Sequence, residues 1–423
     1  MNLLLIPASY PYPALPQTGA QNERCAYMLH RFVDKIIVLS PRPFIPSSLA
    51  LRPRWQFYAS IPYHYVSRGI EVYRPAYLVM PGVMQSFWLN AVAYYAARPV
   101  VKELHRKHRF DAILSFDLCA AGGLAWRLAR DLGIPAAGWA VGDDIRNPEN
   151  SSFGRAASEA LQKLDLVFYQ SSELLYVGAQ ILGTKAEHLQ RSGRHRILSR
   201  GIIGSETPLN DRQRAAVRAS LRVADGEVVI LYLGRITYDK GLFGLVDIFA
   251  RNSGQIGNMR LVLIGSQPAF DDTADLIRHL EQYPAILERV HILPACSPEE
   301  VWTYFNAADI LAFPSLKEGM PNSLLEGMLS GLPSVTFDIP AIRDILRYDR
   351  EALFSIPDFN YGEFFERLVL LSKDQHLRKA TGLRAKHLVQ QHFSLRHNMR
   401  SAITSLKAVE SYRESQRGYL DVV

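Results

Sequence analysis

Short apolar runs alternate with segments of helical periodicity along nearly the whole chain. That alternation predicts βα units wound around parallel sheets. In the first half the apolar runs predict strands at Asn2–Ile6, Ile36–Leu39, Ala112–Ser115, Ala136–Val141 and Leu166–Tyr169. The periodic segments predict helices at Asn22–Val33, Met84–His108 with a kink at Pro99, Gly122–Leu132 and Ser172–Leu182. Gly133-Ile134-Pro135 is a helix stop followed directly by a buried strand. A polar stretch, 203–211, reads as a linker, after which the alternation restarts. Strands are then expected at Val228–Leu233, Leu261–Ile264, His291–Leu293, Ile310–Phe313 and Ser334–Phe337. Ser297-Pro298-Glu299-Glu300 has the form of a capping box opening one of the intervening helices. Two consecutive doubly wound domains follow, and in such sheets ligands lie beyond the carboxyl ends of the strands.

Composition narrows the class. The 423 residues exceed what one hydrophobic core organises, and 48% apolar with 21% charged residues excludes disordered or fibrous chains. Cys25, Cys119 and Cys296 lie too far apart for a disulfide framework or a metal-binding spacing, which suits a reducing compartment. Residues 1–200 hold 23 Lys and Arg against 14 Asp and Glu, so the whole basic excess belongs to the first half. No dense basic run interleaved with aromatics occurs, which argues against nucleic acid. The start of the chain reads as a strand rather than a signal peptide, and the charge-free stretch Pro75–Ala97 is interrupted by Pro81-Gly82. The expected location is cytoplasmic.

Two blocks carry candidate chemistry. In Leu231-Tyr-Leu-Gly-Arg-Ile-Thr-Tyr-Asp-Lys-Gly a buried strand ends at Gly234, and Arg235, Lys240 and a helix start at Gly241 follow. Two cations beside a helix start suit a pyrophosphate, although surface charges have the same appearance. In the block from Ala312 to Pro333, a polar loop holds Glu318 and Pro321-Asn322 opens a helix on which Glu326 sits a turn inside. Glu326 is placed to accept ribose hydroxyls, the plainer alternative for both glutamates being solvation. His376, His387, His392 and His397 recur in the tail at spacings that do not stack as metal ligands, and no metal site is expected. The chain lacks G-x-G-x-x-G after its first strand and G-x-x-x-x-G-K-[ST] anywhere.

Gly-Arg-x4-Lys-Gly followed by Pro-Ser-x2-Glu-Gly-x-Pro-Asn-x3-Glu resembles the retaining glycosyltransferases of family 4, whose paired glutamates Glu318 and Glu326 match. Phe110-Asp-Ala-Ile-Leu-Ser, Ile197-Leu-Ser-Arg-Gly-Ile and Asp225-Gly-Glu-Val-Val-Ile-Leu-Tyr-Leu-Gly-Arg extend the resemblance over nearly the whole chain, closest to bacterial polysaccharide-type members. The resemblance implies a GT-B fold: two Rossmann-like domains facing a central cleft. They would be an acceptor-binding domain at 1–202, joined by a crossing helix from about 395 to 423, and a nucleotide-sugar-binding domain at 203–394. Arg235 and Lys240 then match the pair holding the donor's diphosphate. Glu318 matches the glutamate beside the transferred sugar, with the backbone of Gly319, Met320, Pro321 and Asn322 facing sugar and phosphate. Glu326 matches the ribose glutamate, Gly19 the first-domain loop approaching the diphosphate, and Gly265, Pro294 and Ala295 the nucleobase wall. The implied reaction is retaining, metal-independent transfer from a UDP- or GDP-sugar to a sugar or lipid-linked acceptor, with no cofactor. Many members carry His-Gly-x-Asp where this chain has Val141-Gly142-Asp143-Asp144, so Asp143 or Asp144 either contacts acceptor or donor or caps the turn. A sugar-nucleotide epimerase or a non-catalytic partner subunit of the same fold is the alternative. Tyr77, Phe87, Trp88, Tyr94 and Tyr95 followed by Arg98, Lys102, Arg106, Lys107 and Arg109 suit an anionic membrane surface, or else a core helix with a solvated basic end.

Overall fold

The computed structural model describes residues 1–13, 18–45, 59–78, 86–146, 151–204, 209–267, 271–297 and 300–420, with 86–89, 143, 151–153 and 413–420 described by backbone alone. It divides into two compact units, one of Met1–Arg200 with Leu395–Val423 and one of Gly201–Ser394.

Unit 1 is built on an eight-stranded sheet. Its strands are β1 (Asn2–Pro7), β2 (Lys35–Leu39), β4 (His64–Ser67), β5 (Ile70–Tyr73), β7 (Ala112–Phe116), β8 (Ala136–Ala140), β9 (Leu166–Tyr169) and β10 (His195–Ile197). A separate ribbon pairs β3 (Arg42–Phe44) with β6 (Ala76–Leu78). The spatial order β10-β9-β8-β7-β1-β2-β5-β4 is parallel except for the edge strand β4. The central strands, buried on both faces, are the continuous apolar runs that periodicity identifies. The edge hairpin β4–β5 escapes such a reading because β5 alternates buried and half-buried residues and β4 is nowhere fully buried. Helix α1 (Ala20–Leu29) covers one face. On the other lie α2 (Ser86–His108), which runs through Pro99, and α3 (Ala121–Leu132), which Gly133 closes in the left-handed conformation.

Unit 2 holds a six-stranded parallel sheet: β11 (Val228–Leu233), β12 (Met259–Ser266), β13 (Val290–Pro294), β14 (Ile310–Phe313), β15 (Ser334–Phe337) and β16 (Phe354–Ile356), in the order β13-β12-β11-β14-β15-β16. The polar stretch preceding it ends where Asn210 caps a helix at Asp211–Ser220; residues 205–208 of that stretch lie outside the described ones. Helix α4 (Leu242–Arg251) follows β11, and α5 (Asn322–Leu329) follows β14. The Ser297 capping box forms, Ser297 N–H donating to Glu300 Oε2 at 2.8 Å and Glu300 N–H to Ser297 Oγ at 3.3 Å. Helix α6 (Leu395–Leu420) packs Leu395, Met399, Ala402, Ile403 and Leu406 into the unit 1 core beside α1. No helix among the described residues is long and apolar enough to cross a membrane.

Each sheet has a point where successive connections depart in opposite directions, between β1 and β7 in unit 1 and between β11 and β14 in unit 2. The crevice at the carboxyl ends of such a pair is where parallel sheets receive ligands.

Candidate active site

Both sequence blocks of unit 2 converge on its switch point. The chain leaves β11 through Gly234, which lies against Gly265 at the end of β12; a Cβ on Gly265 would collide with the carbonyl of Gly234. It then turns through Tyr238–Lys240 into Gly241, whose left-handed backbone (φ 69°) starts α4 and abuts the carbonyl of Pro314 beyond β14. Leu316 N–H donates to Asp239 O at 2.8 Å, tying the two loops together. This places Lys240 Nζ 2.8 Å from Glu318 Oε1, with both side chains mostly buried. Arg235 is exposed, with no ion-pair partner among the described residues; its carbonyl accepts from Tyr232 Oη at 2.7 Å. The Tyr232 phenol is pushed well above its ordinary value by burial and by the charges of Glu318 and Asp239.

Beyond Glu318, the Gly319–Pro321 loop enters α5, whose first turn has no side-chain cap. Its N–H groups and the positive end of its dipole are therefore open to an anion. Glu326 is only 9% exposed, so the solvated alternative for it does not hold. Burial raises the thiol pKa of Cys296 just past β13, and the Glu300 and Glu326 carboxylates add to the rise, so Glu326 is within electrostatic reach of that strand end. Ala295 N–H donates to Ser266 O at 3.1 Å, which joins the ends of β12 and β13 beside Gly265.

In unit 1, Gly19 caps α1 with φ 72°, and a Cβ there would lie 2.6 Å from Ser9 O. Asp144 is buried: Oδ2 accepts from Leu118 N–H at 2.9 Å, and Oδ1 from Val141 at 3.0 Å and Gly142 at 2.7 Å. Both oxygens thus serve backbone donors, as the capping alternative requires. The Asp143 side chain lies outside the described residues, as do those of Phe87 and Trp88. Tyr94 is buried and donates to Asp131 at 2.6 Å, Arg98 pairs with the same carboxylate, and Tyr95 is exposed. The four tail histidines are exposed, with His392 stacked on Tyr348.

Comparison with known proteins adds similarities to this geometry. Residues 213–388 match the model described as glycosyl transferases group 1. That match lies within unit 2 and takes in both sequence blocks. Over 350 residues (82% of this chain and 83% of the relative) it is 24% identical to TuaC of Bacillus subtilis (strain 168), a glycosyltransferase assigned by name to teichuronic acid biosynthesis. Over 176 residues (41% and 44%) it is 25% identical to the capsular polysaccharide biosynthesis glycosyltransferase CapM of Staphylococcus aureus. Among solved structures, sucrose-phosphate synthase from Thermosynechococcus elongatus aligns over 99% of this chain and 100% of its own with a TM-score of 0.72 at 17% identity. Anabaena HepE in complex with UDP-glucose aligns over 98% and 100% with a TM-score of 0.68 at 16% identity. The fold is GT-B.

The unit 1 crevice holds residues that the motifs do not reveal. Asp117, one residue past β7, accepts from Ala120 N–H at 2.5 Å and Ala121 N–H at 3.1 Å. Burial and the adjacent Asp144 push its carboxyl up to about 7, and burial also raises Asp144. Gln170 directly after β9, Arg200 beyond β10 and Asn22 on the first turn of α1 are likewise buried. The available sequence signal is positional: a polar residue immediately after an apolar run, the rule that singles out Arg235.

Proposed function

We propose that this protein is a glycosyltransferase that moves a sugar from a nucleoside diphosphate donor to an acceptor hydroxyl with retention at the anomeric carbon and without a metal, in bacterial polysaccharide or glycolipid synthesis. The observation carrying this reading is the Lys240–Glu318 pair at the unit 2 switch point, beside the uncapped start of α5. In the reaction the bond from the anomeric carbon to the diphosphate oxygen breaks and a bond to the acceptor oxygen forms. The acceptor's proton passes to the leaving diphosphate. Arg235, Lys240 and the first-turn amides of α5 meet the charge that develops on that diphosphate, the role in which fixed donors contribute most. Glu318 orients the sugar hydroxyls and Glu326 the ribose. HepE, crystallised with UDP and with UDP-glucose, supports a nucleotide-sugar donor.

The exposed cations Lys102, Arg106, Lys107 and Arg109 at the end of α2 suit a lipid-linked acceptor met at an anionic, cytoplasmic membrane face. A thermal-shift screen against UDP, GDP and their sugars selects the donor, because a bound ligand raises stability by mass action. Labelled donor with and without candidate acceptors then tests transfer. Label appearing in the acceptor only when acceptor is supplied supports the reading, whereas isomerised donor formed without acceptor identifies an epimerase and overturns it.

A further inference from the structure

Unit 1 carries a buried charge that the site above does not use. Arg200 is 8% exposed. Its Nη1 donates to Asn22 Oδ1 at 2.7 Å, its guanidinium lies 5.5 Å from the centroid of the Phe116 ring, and its backbone N–H donates to Gln170 Oε1 at 3.3 Å. Its Nε is buried without a hydrogen-bond partner, and no carboxylate among the described residues pairs with it. Glu23, next to Asn22, is engaged elsewhere, with Ser67 Oγ and with Arg68 Nε at 3.2 Å. Asn22 and the ring face give Arg200 a hydrogen bond and a quadrupole, but no compensating charge. A buried ion left in that state is destabilising unless a counter-charge arrives.

The position of Arg200 indicates what arrives. Asn22 lies on the first turn of α1, directly after β1, and Phe116 is the last residue of β7. The guanidinium therefore spans the β1/β7 switch point of the unit 1 sheet. The first turn of α1 starts from Gly19 with no side-chain cap, so the positive end of the helix dipole lies beside Asn22. Asn22 is fixed from its other side, where Nδ2 donates to Ser9 O at 2.8 Å, so its carbonyl holds the guanidinium in place.

We propose that Arg200, with the first turn of α1, binds an oxyanion of the phosphate or carboxylate type carried by a substrate. Its assignment to a substrate rests on the glycosyl-transfer reading, while the binding site itself does not. Two sources share this chemistry: an acidic group on the acceptor, and the donor's diphosphate. The test is calorimetry on the full chain with inorganic phosphate, glucuronate and UDP, at ionic strength held constant with chloride. Arg200→Met is expected to weaken phosphate or glucuronate binding at least tenfold, with Arg200→Lys between it and the wild type. Unchanged UDP affinity in Arg200→Met then assigns the site to the acceptor's acidic group. UDP affinity falling by the same factor, with phosphate binding lost in saturating UDP, assigns it to the diphosphate.

Asn22→Asp supplies an internal counter-charge without removing the cation. It is expected to raise the melting temperature while abolishing anion binding, which keeps the test decisive if Arg200→Met fails to fold. Wild type and Asn22→Asp binding all three probes equally would make Arg200 a purely structural cation and overturn the proposal. UDP binding that is lost in Lys240→Ala and kept in Arg200→Met tests the donor site separately.

Discussion

The carboxyl ends of the two sheets solve the same problem with opposite electrostatics. In unit 2, charge is matched: Lys240 meets Glu318 at 2.8 Å, and Arg235 stands exposed where water screens it. In unit 1, like charge is buried with like, Asp117 beside Asp144, and Arg200 is buried with no carboxylate partner among the described residues. A matched pair near the surface is ready to exchange partners with an incoming ion pair, whereas an unmatched buried group needs a proton or a ligand. The comparison teaches that unit 2 keeps its buried charges paired, and that unit 1 keeps buried groups whose stability depends on their protonation state.

The largest expected effect breaks the matched pair. Lys240→Ala should lower turnover by about a hundredfold or more, because charge developing on the leaving diphosphate loses a fixed cation. The double variant Lys240→Ala/Glu318→Ala separates function from structure. If the pair only stabilises the loops, removing both partners restores what the single change lost; if Lys240 meets the diphosphate, the double variant stays inactive in steady-state assays.

The basic end of α2 comes next. Each cation near an anionic surface adds about 1 kcal/mol. Changing Lys102, Arg106 and Lys107 to Ser should therefore release the protein from anionic vesicles in co-sedimentation, and salt should do the same to the wild type. A protein that stays in the supernatant with anionic lipid at low salt has a soluble acceptor. Glu318→Gln, which keeps the shape and removes the charge, should lower kcat by about tenfold while leaving affinity for free UDP or GDP nearly unchanged. Calorimetry beside kinetics reads both.

The unmatched side gives smaller effects with a definite sign. The raised Asp117 pKa means that the folded state holds a proton which the unfolded chain releases near 3.8. Its contribution is full below that value and is lost as pH rises through about 7. His195, buried against Tyr169 at 2.9 Å, runs the other way, its pKa lowered by burial and by Arg194 from 6.5 to about 4. Its contribution is full above 6.5 and is lost as pH falls towards 4. Relative to the wild type, melting temperatures between these limits should therefore gain more (or lose less) with rising pH in Asp117→Asn, which removes one of the two raised carboxyls. They should fall with pH in His195→Gln.

The same contrast decides what was legible in the sequence. The unit 2 site is written in two short blocks, each leaving one strand, so local spacing marks Arg235 with Lys240 and Glu318 with Glu326, and the fold joins the blocks through Lys240 and Glu318. The unit 1 crevice draws Asn22, Asp117, Asp144, Gln170 and Arg200 from the ends of different elements, and no local spacing links them. The central strands were readable because burial on both faces makes them unbroken apolar runs. The edge elements β4 and β16 were not, being short and only partly buried. Glu326 could be placed on its helix from sequence, but its burial is a property of the fold alone.

The most direct test of the central claim, that unit 2 holds a nucleoside diphosphate through this constellation, is calorimetric titration of UDP and GDP into wild type and Glu326→Ala. The account predicts saturable binding of one of the two by the wild type, weakened by about 1–3 kcal/mol in Glu326→Ala as hydrogen bonds to a charged oxygen are lost. Binding of neither nucleotide by the wild type, or identical affinity in Glu326→Ala with loss in Glu318→Ala, would contradict it.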